Sequence, residues 1–100
     1  MKPLLLSFLF IALTSCASPP PYVEYTLART ALRAARDSGA PRFAAGFWHE
    51  AEQAYRDGRL SFEENRNEEA RNHFKEALEW AEKAENATKI KRFQSGQGLP

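Results

Sequence analysis

Alanine recurs at helical spacing in three separate segments of this 100-residue chain, which leaves room for only one kind of interior. Ala28, Ala31, Leu32 and Ala35 follow an i, i+3, i+4, i+7 pattern, with Arg29, Arg33 and Arg36 on the opposite side. A second stripe holds Ala44, Phe47, Trp48, Ala51, Ala54, Tyr55 and Phe62. A third holds Ala70, Phe74, Ala77, Leu78, Ala81 and Ala84. Side chains this small let helices approach towards the lower end of the usual separation of about 8–10 Å, so the expected core is thin. No run alternates apolar and polar residues with period two, and strands are not expected.

The breaks between stripes are marked by residues that stop helices. Gly39 suits a left-handed cap and Pro41 cannot continue the helix before it, so a turn is expected at Ser38-Gly39-Ala40-Pro41. Proline is tolerated in a first helical turn, which starts the second helix at Pro41 or Arg42. Asn65-Arg66-Asn67 marks the next break, with Asn67 as N-cap and Glu68 and Glu69 at the positive end of the third helix. Helices are therefore expected over about 22–38, 42–64 and 67–90, within a domain spanning 22–93, followed by a frayed tail over 94–100. Gly58 falls on the second stripe. A glycine there costs about 1 kcal/mol relative to alanine, so the helix is locally weak or another part of the chain approaches closely. Glu52 with Arg56, Glu79 with Lys83 and Glu85 with Lys89 have the i, i+4 spacing of solvated ion pairs. The fold class is all-α: a small antiparallel three-helix bundle, or a long helical hairpin with the first helix docked on it.

Ahead of the helices, Lys2 precedes an apolar run from Leu4 to Leu13, and Leu13-Thr14-Ser15-Cys16 closes it with the only cysteine present. Ten residues at about 1.5 Å each cover half of a hydrocarbon core of about 30 Å, which favours a removed signal over a membrane span. The four residues resemble a bacterial lipobox. That resemblance implies cleavage of residues 1–15, diacylglycerol on the Cys16 sulfur and acylation of the new amino group. Two or three acyl chains, at about 0.8 kcal/mol per buried methylene, anchor stably where one chain does not. Ala17 follows the cysteine in place of aspartate, which in the Gram-negative sorting pattern implies the outer membrane, facing the periplasm. An acylated sole cysteine leaves no thiol for a disulfide. Residues 16–21, with Pro19, Pro20 and Pro21, read as a stiff tether.

Charge narrows the partners. Beyond residue 15, thirteen basic residues balance thirteen acidic ones, against the clear basic excess of nucleic-acid-binding proteins. Catalysis lacks a warrant. His49-Glu50-Ala51-Glu52-Gln53 begins like a zinc-protease helix, but Gln53 stands where the second histidine is required; His73 is unconnected to it. Glu63-Glu64 and Glu68-Glu69 read as helix-end charges. No cofactor or metal is expected, and the chain is not expected to be an enzyme. Trp48 and Trp80, at the edges of their stripes, are candidate partner contacts, since aromatic anchors dominate interface energies. Lys89, Lys91 and Arg92 are candidates for anionic lipid or another envelope surface, or for helix-end dipole complementarity.

The pattern over Leu27 to Ala84 resembles DUF4398, a small bacterial lipoprotein domain of unknown function. Its alanine-rich first helix is matched by Ala28-Arg29-Thr30-Ala31-Leu32-Arg33-Ala34-Ala35-Arg36, and its turn in part by Gly39-Ala40-Pro41-Arg42-Phe43-Ala44. The later helices match through Phe47, Ala51, Tyr55 and Ala70. The family's proline after the aromatic-alanine pair is replaced by Ala45. The resemblance implies an all-helical envelope lipoprotein of undefined role. A partial tetratricopeptide likeness, through Gly58, Ala70, Phe74 and Ala77, lacks the leucine, tyrosine and proline of that repeat at Asp57, Ser61 and Glu82.

The expected role is a non-catalytic interaction or structural module for another envelope protein or for a second copy of the chain. The alternative is a spacer that binds peptidoglycan or anionic lipid through its basic C-terminal segment.

Overall fold

A computed structural model describes residues 18–96, so the signal segment, the lipobox residues Leu13, Thr14, Ser15 and Cys16, and the last four residues lie outside the described residues. Among the described residues four helices follow one another: α1 (Tyr22–Ser38), α2 (Ala40–Phe43), α3 (Ala45–Glu63) and α4 (Asn67–Gln94). No strand occurs among the described residues, in keeping with the all-α expectation.

The 28 residues of α4 form the spine, about 42 Å long at the rise of an α-helix. Against it α1 runs parallel, with Glu24 beside Arg71 and Ser38 beside Arg92. In the opposite direction α3 brings Gly58 to Phe74 and Phe47 to Trp80. The result is an up-down-up bundle in which α1 and α3 both seat on α4 and meet each other sparingly.

Alanine makes that seating possible. Ala35, Ala40, Ala44, Ala51, Ala81 and Ala84 form one buried layer, while Ala28, Ala54, Ala70 and Ala77 gather around Phe74 in the other. Phe74, Thr88 and Pro21 are the largest fully buried side chains among the described residues. Thr88 satisfies its hydroxyl locally by donating to the Ala84 carbonyl at 2.7 Å, so its burial leaves no orphaned polar atom.

Four boundaries differ from the sequence expectation. First, the second helix is broken: α2 starts at Ala40 and ends at Phe43, and the φ of −140° and ψ of 51° at Ala44 leave the helical region before α3 begins. Second, Asn67 does not cap α4. It lies inside the helix, Arg66 occupies the cap position without a side-chain cap bond, and the Asn67 amide donates to the Ser18 carbonyl at 3.0 Å. Third, α4 continues to Gln94, because Lys91 and Arg92 are held by contacts with other helices. Fourth, the end of the tether is docked. Arg71 donates to the Pro19 carbonyl at 2.8 Å while also meeting Glu24 and Glu68, and Pro21 is buried.

The turn at Gly39 matches expectation, with φ of 107° and its N–H donating to Arg36. A side chain there would carry the cost of the left-handed region.

Candidate functional site

Ala28 and Ala35 fix the rotation of α1 on the spine, which turns Leu32, Arg29, Arg33 and Arg36 towards α3. From the facing helix, Trp48, Glu52, Tyr55 and Arg56 meet them at i, i+4, i+7 and i+8, one face of α3. Between the two helices lies a half-open groove of about 370 Å³. Its floor is apolar, with Leu32 and Trp48 packed on the alanine layer, and its rims are cationic. Four arginines face a single carboxylate, Glu52. Among the described residues none of these arginines closes an ion pair, including the i, i+4 pair of Glu52 and Arg56. The chain is nearly neutral, so the groove is a local concentration of positive field and not a reflection of overall charge.

One end of the groove abuts an aromatic cluster. Tyr25 and Tyr55 stack at 6.0 Å, and both rest on Phe74, at 5.4 and 5.8 Å respectively; Tyr22 meets Phe62 edge-on at 5.7 Å. Such pairs add about 0.5–1.5 kcal/mol each beyond area burial. The two stacked phenols are pushed apart in acidity. The neighbouring Tyr55 phenol pulls Tyr25 below the ordinary tyrosine value, helped by the positive charges of Arg29 and Arg59. Burial raises Tyr55 above that value, and the Tyr25 phenol beside it raises it further.

The other sequence candidates disperse. Trp48 is half-buried in the groove, whereas Trp80 stacks on Phe47 at 5.8 Å, carries the Lys83 ammonium 4.7 Å above its ring and donates to Glu76. Lys83 therefore faces an indole and not Glu79. Lys89 pairs with Glu85 at 2.8 Å, as the i, i+4 spacing suggests. Lys91 and Arg92 reach across the fold: Lys91 donates to the Phe43 carbonyl and Arg92 to the Ser38 carbonyl, both at 2.7 Å. They serve the carbonyl ends of α2 and α1, not their own helix. The Arg92 Nε is buried without a partner. His49 is exposed and His73 half-buried, and among the described residues no group of three or more histidine, cysteine or acidic side chains is arranged to hold a metal. Glu64 and Glu69 flank Arg66, and Glu68 meets Arg71. No helix among the described residues is long and apolar enough to cross a membrane.

From the sequence, Arg29, Arg33 and Arg36 are placed only on the side of the first helix opposite its alanine stripe, and the groove they line is not foreseen. Its signal was present. From Arg29 to Arg36 three cations follow one another with no acid between them.

No curated protein and no solved structure matches this chain. The domain of unknown function DUF4398 matches residues 23–95, nearly the whole of the helical bundle described above. By that match over most of its length, the chain belongs to the DUF4398 family.

Proposed function

We propose that the protein is an outer-membrane-anchored, periplasm-facing lipoprotein whose helical domain acts without catalysis, as an interaction or structural module for another envelope protein. The anchor in this reading is Cys16, acylated after cleavage behind Leu13-Thr14-Ser15. The observation that carries the interaction role is the open seam between α1 and α3. Two helices that share a spine but leave Trp48 half-exposed between them present a concave surface with an aromatic anchor.

The docked tether supports a defined presentation of that surface. Ser18 and Pro19 are held by Asn67 and Arg71, so the domain would meet its anchor at the start of α1 and α4. The spacer reading, which relies on Lys89, Lys91 and Arg92, has less support, because all three cations already have partners within the fold.

Two measurements test the proposal. Metabolic labelling with a lipid precursor should mark the protein and should vanish in Cys16→Ser; label that persists removes the anchor. Crosslinking in intact cells from a photoreactive residue at Trp48 should yield one discrete adduct with an envelope protein or a second copy. A uniform smear, or none, removes the interaction role.

A further inference from the structure

Resting on the reading of the domain as an interaction module, the groove between α1 and α3 specifies what its partner must look like. Arg29, Arg33 and Arg36 are exposed and spaced i, i+4, i+7, which lines them along about 10 Å of helix. A partner helix laid in the groove repeats that spacing. Carboxylates at matching positions would each meet a guanidinium fork, the geometry in which arginine binds oxyanions best. Between the arginine rims, Leu32 and Trp48 offer an apolar floor for large side chains on the partner's inner face.

We infer that this groove is a docking site for an amphipathic, acidic helix of a partner protein, with glutamates or aspartates facing Arg29, Arg33, Arg36 and Arg56 and an apolar side chain seated on Trp48. Two features favour this occupant over a bilayer surface. The groove is concave and its apolar floor lies between two helices, where a flat layer of headgroups reaches only the rims. Glu52 also stands among the arginines, a like charge that works against a dense phosphate surface but sets register for a helix with a neutral or basic residue at that point.

The test uses the full chain in detergent, carrying Trp80→Phe so that indole fluorescence reports Trp48 alone. The probe is a synthetic amphipathic peptide of about 18 residues, long enough to hold a helix, with glutamates at i, i+4 and i+7 beside a leucine stripe. Titration should shift the Trp48 emission, and the shift should weaken steeply with added salt. A peptide with glutamine in place of each glutamate should bind at least about tenfold more weakly, as should the protein carrying Arg29→Gln, Arg33→Gln and Arg36→Gln. Because the glutamine peptide leaves the protein untouched, the result does not depend on how the variant folds. Equal binding of the two peptides overturns the inference. So does a Trp48 response to phosphatidylglycerol vesicles without one to the acidic peptide. A discrete crosslinked partner in cells combined with no peptide binding sinks this inference alone, whereas loss of the Cys16 anchor leaves it standing.

Discussion

The ring of Phe74 occupies the space that a Cβ on Gly58 would fill: two of its carbons lie 2.7 Å from that position. Neither side can give way, since Phe74 is fully buried between α3 and α1 and is gripped by Tyr25 and Tyr55. Gly58→Ala should therefore destabilise the domain by about 1–3 kcal/mol through overpacking, although alanine gains about 1 kcal/mol in helix propensity. Thermal unfolding followed by circular dichroism gives the sign. Adding Phe74→Leu should recover part of the loss, and a Gly58→Ala protein as stable as the parent would contradict the packing described.

Arg92→Ala should cost about 1.5–3 kcal/mol, the range for a hydrogen bond from a charged donor to a part-buried carbonyl. Lys91→Ala should act in the same direction by removing the donor to Phe43. Lys89→Ala, which breaks only a local pair within α4, should stay within about 0.5 kcal/mol. Urea denaturation of the three variants separates bonds that span the fold from one that does not.

Replacing Arg71 tests the docked tether. The Tyr22 and Tyr25 amides donate to the Pro20 and Pro21 carbonyls, both at 3.0 Å. Arg71→Ala removes the donor that holds Pro19 and the partner of Glu24, so exchange of these two amides with solvent should accelerate while Ala81 and Ala84 keep their protection. Unchanged exchange at Tyr22 and Tyr25 would show that Arg71 does not hold the segment.

Alkaline titration should resolve the stacked tyrosines. Followed by phenolate absorbance, Tyr25 should ionise below the ordinary value and Tyr55 above it, and Tyr55→Phe should return Tyr25 towards that value. The linkage has opposite signs. A raised Tyr55 contributes stability below its unfolded value, lost as pH rises through the folded one; a depressed Tyr25 contributes stability above its unfolded value, lost as pH falls through the folded one. In Tyr25→Phe only the first contribution remains, and stability should decline as pH climbs past 10.

The elements written in local chemistry were legible from the residues. Gly39, the three alanine stripes and the pair of Glu85 with Lys89 needed nothing beyond spacing and conformational preference. The break at Ala44 was not legible, because what stabilises it lies 48 residues away: Lys91 takes up the Phe43 carbonyl near the break. Asn67 looked like an N-cap for the same reason. Its best local use is overridden by the Ser18 carbonyl, brought close by the docked tether. The groove stayed hidden because an arginine row is ambiguous until the rotation of α1 on α4 decides whether it faces water or α3.

A core made of methyl groups sets how the domain responds to temperature. The heat-capacity increment of unfolding scales with the apolar area newly exposed, and an alanine buries far less of it than a leucine or phenylalanine. With Phe74 the sole large apolar side chain wholly inside, apart from Pro21, among the described residues, the increment should fall below the usual figure of about 12–15 cal/mol/K per residue. The stability curve is then flat: modest at its maximum, yet slow to fall on either side of it.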